Sequence, residues 1–370
     1  MQEANSLVDW APLARLALLA LLLALLPLSW IWLRQRGADL RARLATLTAL
    51  TLFLTFDLIV FGSFTRLTDS GLGCPDWPGC YGAASPFGAR GEIHAAQSAL
   101  PSGPVTWSKA WIEMIHRYLA MTVGVLILVT TVASWLARRR LPHSPWWPTF
   151  TLVWVVLQGL FGKYTVTLKL YPAVVTLHLL GGLALLALLA VQRESFLARP
   201  LTLTPALRRA TAVGLALLML QITLGGWVST NYAVLACTGA PQCNGQWWPA
   251  MDFGAGFVLL RELGLAADRS VLDFEALVAI HMAHRLVAVL VVVFLLALAW
   301  RLYRQAEPAL CRFGFGLAAL LLAQVASGLS NVVMDWPLAA ALAHSAGAAA
   351  LVLLFTLLLA RSASRSPALA

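Results

Sequence analysis

Charge is what this sequence has least of. Asp, Glu, Lys and Arg make up 11% of its residues, against about 25% in an ordinary soluble domain. A chain so poor in charge cannot cover itself in water, which excludes a soluble globular enzyme. Carboxylates are scarcer still, 16 in 370 residues. The five cysteines include no CxxC pair, so the usual four-thiolate zinc spacing is missing.

Apolar residues fill the gap. The chain is 60% hydrophobic, and nine windows approach the roughly 20 apolar residues that a membrane helix needs: about 12–33, 45–65, 114–137, 147–167, 173–191, 209–229, 277–300, 313–333 and 338–360. Backbone groups in lipid must be satisfied within the segment, so these windows predict helices. The net charge of +10 is a topology signal and does not point to nucleic acid. With nine crossings, Arg34, Arg36, Arg41, Arg43, Arg138, Arg139, Arg140, Arg193, Arg199, Arg208, Arg209, Arg301, Arg304, Arg312, Arg361 and Arg365 all fall on one side, which the positive-inside rule makes cytoplasmic. Asp69, Asp76, Glu92, Asp268, Asp273 and Glu275 fall on the other. The N-terminus is then expected outside and the C-terminus inside. The first window is too long for a signal-peptide core and is followed by a basic stop, so it reads as an anchor. Its acidic start (Gln2, Glu3, Asp9) is unlike a transit peptide and favours a bacterial inner membrane.

The chain repeats itself. Gly62 precedes Cys74 by twelve residues and Gly225 precedes Cys237 by twelve; Cys80 and Cys243 follow at equal spacing. Both pairs sit on the oxidising outer side, where disulfides Cys74–Cys80 and Cys237–Cys243 are expected, while Cys311, near the cytoplasmic side, reads as a small apolar packing residue. Each loop leads to a His-Arg helix (His116-Arg117, His284-Arg285), then to Gln158 and Gly162 or Gln324 and Gly328, then to His178 or His344. The offset stays between 163 and 168. The expected fold is an all-α polytopic membrane protein of two pseudo-symmetric four-helix bundles in parallel repeat, plus one N-terminal helix. Residues 1–44 form the anchor and linker, 45–195 the first half and 208–362 the second.

One intramembrane histidine is usually a helix–helix hydrogen bond. Four at repeated positions and similar depth suit two bis-imidazole haems, His116 with His178 and His284 with His344. A zinc or copper site is the metal alternative, though zinc usually gathers three or four ligands at one point. Gly181, Gly182 and Gly347 offer room for a flat ligand or for close helix packing. The halves differ at one place: Glu113 stands one turn before His116, where the second half has His281 before His284. Glu113 is either a proton acceptor beside the first haem or a first-turn acid facing the helix dipole. Arg117 and Arg285 are expected to pair with haem propionates or nearby carboxylates. Lys163 and Asp57 are charges in helices without an assigned role, and the long outer loops place Trp77, Trp107, Trp111, Trp247 and Trp248 as interfacial anchors or as a lid.

The segment Gly62-Ser-Phe-Thr-Arg-Leu-Thr-Asp-Ser-Gly-Leu-Gly-Cys74, with Trp77, Pro78 and Gly79 before Cys80, resembles the first outer loop of haem A synthases. So do Glu113-Met-Ile-His116-Arg117, Leu177-His178, Cys237 to Cys243 with Asn244-Gly245, His284-Arg285 and His344; the resemblance covers about residues 45–360. It implies an oxidoreductase that converts a methyl group of haem O to a formyl group, giving haem A for cytochrome oxidase. His116 and His178 would flank the substrate haem O, with Glu113 as acid–base group. His284 and His344 would ligate haem b for electron transfer, and haem O would come from haem O synthase. The first cysteine pair would be a structural or redox element. The family pattern has eight helices against nine windows here, and His281 stands where relatives carry a non-ligand polar residue. The electron acceptor, the oxygen source and homo-oligomerisation stay open. A quinol-linked di-haem b carrier is the alternative reading, and a parallel-repeat transporter a third.

Overall fold

The computed structural model describes residues 11–141, 143–197 and 199–363; Gln2, Glu3, Asp9 and Arg365 lie outside them. Among the described residues the chain forms eleven α-helices and no strand: α1 Ala11–Arg34, α2 Leu40–Leu67, α3 Arg90–Ala99, α4 Trp107–Leu136, α5 Trp146–Thr167, α6 Pro172–Leu197, α7 Pro205–Thr230, α8 Phe253–Gly256, α9 Phe274–Tyr303, α10 Pro308–Val333 and α11 Leu338–Ala363. All nine apolar windows are helical. Eight are long and apolar enough to cross a membrane; the ninth, α5, has the length, but Gln158 and Lys163 interrupt its apolar run. The protein is thus an all-α, multi-pass membrane protein.

The helices begin where their capping chemistry allows, several residues before the apolar windows. The Thr106 hydroxyl accepts from the N–H of Lys109 at 3.3 Å, Asp39 accepts from Ala42 at 2.8 Å and Thr204 from Leu207 at 3.2 Å. Each supplies an acceptor for a first-turn N–H with no helical partner. Proline opens α6 and lies in the first turn of α7 and α10, where its missing N–H costs nothing. The early start of α4 moves His116 from the mouth of its helix to a position nine residues in, roughly 14 Å along the axis. His284 lies ten residues into α9, so the two His-Arg positions match in depth.

Contacts divide the chain after Lys169 into two compact units. In the first, α4 packs against α1, α2, α3 and α5. Helix α1 buries Leu16, Ala20 and Ala24 at four-residue spacing; Leu16 meets Cys74, Cys80, Ala110 and Met114, and Ala24 meets Leu47 and Leu126. The helix outside the repeat is therefore part of this unit's core. Threonines on the buried side of α2 satisfy themselves within the helix, Thr51 donating to Leu47 O at 2.8 Å and Thr55 to Thr51 O at 2.7 Å.

In the second unit α7, α9, α10 and α11 close a ring of contacts, with α6 seated on α7 and α11. The repeat places α6 in the first half, whereas contacts group it here. Thr176 and Thr230 share a 3.2 Å hydrogen bond, and Glu194 accepts from Arg361 of α11 at 2.9 Å. Sequence register records which helices correspond, and it carries no information on which neighbours a given helix touches.

The duplication is visible in the backbone of each unit taken separately. Residues with left-handed φ recur at the same offsets: Tyr81 and Gly82 with Asn244 and Gly245, and Lys169–Leu170 with Asp335–Trp336. Both disulfides, Cys74–Cys80 and Cys237–Cys243, are formed. Bridges join Cys80 to Ala83 and Cys243 to Gln246, so the two loops share one turn.

Candidate functional site

In the first unit α4 carries Glu113, His116 and Arg117 on neighbouring turns. Glu113 lies two turns inside the helix with 4% of its surface exposed; it is not a solvated first-turn acid. One carboxylate oxygen accepts from the backbone N–H of Cys74 at 2.8 Å, and the other pairs with Arg117. The Arg117 guanidinium donates in turn to the carbonyls of Asp76 at 3.0 Å, Pro78 at 3.2 Å and Gly79. One buried ion pair thus holds the disulfide turn by its backbone on both sides of Trp77. The ring of His116 packs on α2, where a Cβ on Gly62 would stand 2.9 Å from its Nε2, and it stacks with Phe61 at 6.4 Å.

The second unit repeats the arrangement with one exchange. Arg285 donates to the carbonyls of Gly239 at 3.0 Å, Gln242 at 3.2 Å and Cys237 at 3.1 Å. His281, at the place of Glu113, is buried and bonds through Nδ1 to Ala233 O at 2.9 Å, which ties it to the loop and away from a ligand's role. Both arginines therefore spend donors on loop carbonyls, and Arg117 on Glu113 as well. Of the two partners expected for them, a haem propionate or a nearby carboxylate, Arg117 has the nearby carboxylate, Glu113, and Arg285 has loop carbonyls in its place. A loop with three inward carbonyls is the competing acceptor that a sequence does not display.

His284 and His344 both belong to this unit. The amide nitrogen of Gln221 sits 2.9 Å from Nδ1 of His284 and donates to its carbonyl at 3.1 Å. Ser327 Oγ sits 3.1 Å from Nδ1 of His344. The Gln221 amide nitrogen also lies 3.4 Å from Nε2 of His284, so it holds the edge of that ring without selecting a ligand atom, whereas the Ser327 hydroxyl can accept from Nδ1 of His344 and leave its Nε2 for a metal. A Cβ on Gly225 would stand 2.9 Å from Cε1 of His284, and one on Gly328 3.1 Å from Cε1 of His344, so glycine admits both rings against the neighbouring helix. Gly347 makes room for the Gln324 side chain of the neighbouring helix, which is the close-packing alternative for this glycine. His178, on α6, keeps a buried Nδ1 with no hydrogen-bond partner among the described residues. Among those residues no three His, Cys, Asp or Glu side chains are grouped so as to hold a bare metal ion. The imidazoles of His284 and His344, each seated on a glycine and held by a polar neighbour at Nδ1, are a donor pair of the kind that fits haem iron.

Gln221 and Ser327 escaped the sequence reading. Gln221 stands one turn before Gly225 on α7, and Ser327 directly before Gly328; nearness to a repeat-marking glycine was the signal available. Asn244 is a loop residue, its Oδ1 accepting from Thr238 N at 3.0 Å and its amide donating to Ala236 O at 3.0 Å.

Comparison with known proteins adds an independent finding. The family model described as COX15-CtaA, cytochrome oxidase assembly protein, matches residues 45–356. A heme A synthase of Shewanella oneidensis is 40% identical over 84% of this chain and 94% of its own length. One from Paracoccus denitrificans is 31% identical over 84% of each, and one from Shouchella clausii is 26% identical over 79% and 86%.

Proposed function

This chain belongs to the COX15-CtaA family of cytochrome oxidase assembly proteins, and from that premise we propose that it is a haem A synthase. It oxidises a methyl group of haem O to a formyl group, a change that adds one oxygen and removes four electrons. The observation that carries the reading is the asymmetric duplication: one His-Arg collar on a disulfide loop in each unit, with a carboxylate beside the histidine in the first only. A carrier that moves electrons between two like haems has no use for that difference.

In this reading His116 and His178 bind the substrate haem, and His284 and His344 hold haem b. Haem b would supply one-electron transfer when bound. Gln221 and Ser327 orient the imidazoles that hold it, and Arg117 and Arg285 fix the loops that border each site. Glu113 takes protons released as the methyl group is oxidised, on the same face of α4 as His116. Its bonds to Cys74 and Arg117 favour a second role, anchoring the loop, and the two roles separate on Glu113→Gln, which keeps an acceptor for Cys74 but removes the base.

Haem O enters from its synthase, and haem A leaves for cytochrome oxidase. The membrane is the bacterial inner membrane, with the N-terminus and haem-binding ends periplasmic and the arginine-rich ends cytoplasmic. Extraction of the porphyrins carried by purified protein tests the reading. Haem b together with haem O or haem A is expected; haem b alone, in cells that make haem O, would favour a di-haem carrier.

A further inference from the structure

Lys163 is the one charged residue of α5, the helix least suited to lipid. A lysine in a spanning segment is costly and marks function when no partner explains it. Among the described residues it has no ion-pair partner; its ammonium lies 5.9 Å from the centre of the Trp77 ring. The backbone that carries Trp77 is held in place, within the Cys74–Cys80 disulfide loop and between two carbonyls, Asp76 and Pro78, that accept from Arg117. The neighbouring carboxylate of Asp76 accepts from the N–H groups of Tyr81 at 2.6 Å and Gly82 at 2.7 Å, and among the described residues it forms no ion pair with Lys163. A cation resting on an indole face is positioned without being neutralised.

The repeat shows where this cation stands. Lys163 follows Gly162, whose counterpart Gly328 packs against the ring of His344. At the place of Lys163 the second half has Leu329, and at the place of Trp77 it has Ala240. Both members of the pair are thus confined to the half that carries Glu113. A general need for a loop anchor would apply to both halves; a need to grip one particular anion applies to one.

We propose that Lys163, steadied by Trp77, is the binding residue for a carboxylate of the porphyrin that enters the first half, and that it sets that site's preference for a porphyrin acid. The inference rests on the reading of the first half as a porphyrin site. An ammonium–carboxylate contact at a half-buried position gives a preference of about tenfold. Lys163→Met is expected to abolish it and Lys163→Arg to retain most of it.

The test is an absorbance titration of protein purified from cells that make no haem O, with its resident haem b in place, against iron protoporphyrin and its dimethyl ester. Wild type should bind the diacid about tenfold more tightly than the ester, and Lys163→Met should bind both alike with the resident spectrum unchanged. If Lys163→Met loses resident pigment, Lys163→Gln takes its place in the same comparison. Equal acid-to-ester ratios in wild type and variant overturn the role of Lys163 and leave the porphyrin site standing. A wild type that binds no added porphyrin overturns the site and this inference together.

Discussion

Gly225→Ala puts a single methyl group between α7 and the imidazole of His284. The added Cβ would stand 2.9 Å from Cε1, while carbon atoms in good contact sit about 3.5–4.0 Å apart, so the ring must retreat by roughly half an ångström. Retreat is opposed by the Gln221 amide, 2.9 Å from Nδ1 and bonded to the His284 carbonyl. Overpacking of this kind costs about 1–3 kcal/mol. Placed on the ligand geometry, it weakens haem b binding by roughly five- to 150-fold. Haem content per mole of purified protein and the low-spin visible spectrum read the effect. Gly124→Ala and Gly159→Ala are controls, because a Cβ at either position meets nothing within 4 Å. Wild-type haem content in Gly225→Ala, or an equal loss in the controls, would refute the claim that glycine seats the His284 ring.

Glu113→Gln should retain haem b and lower haem A formation by about 10²–10⁴-fold, scored by chromatography of extracted haems; full product formation would leave Glu113 as a loop anchor only. Arg117→Ala strands a buried carboxylate and three loop carbonyls, and breaking such a pair costs about 3–5 kcal/mol. Its thermal transition in detergent should fall well below that of Glu113→Leu/Arg117→Met, which removes both charges, and equal transitions would contradict the pairing. Arg285→Ala should open the Cys237–Cys243 turn to proteases, seen as new cleavage between α7 and α9, while cleavage between α2 and α4 stays unchanged. Glu194→Gln weakens its bonds to Arg193 and Arg361; it should lower the transition and leave the visible spectrum untouched, since both partners lie at the opposite helix ends from the histidines.

The helices were legible because long apolar runs have one solution in lipid, and the duplication because loop spacing survives in both halves. Helix starts were less so. Windows of hydropathy ignore Thr106 and Asp273, whose chain geometry starts α4 and α9 before the lipid-compatible stretch, and this is why Glu113 looked like a mouth residue and is a buried one. The short α3 left no apolar run to find; it is recognisable only once Ile93 lies in the core with Cys74 and Cys80. Arg117 and Arg285 show a further limit. Apart from the Arg117–Glu113 pair, their partners are backbone carbonyls 38 to 48 residues away, and a backbone acceptor has no letter in the sequence. Gln221 and Ser327 bond across helices to rings that are distant in sequence, and spacing along one helix cannot name the residue facing it from another.

The most direct measurement supplies haem O to membranes that contain the protein and identifies the porphyrins afterwards by chromatography and mass. Conversion of the methyl group to a formyl group, present with wild type and abolished by His116→Ala, is the predicted result. Haem O recovered unchanged from protein that carries its full complement of haem b would contradict the account.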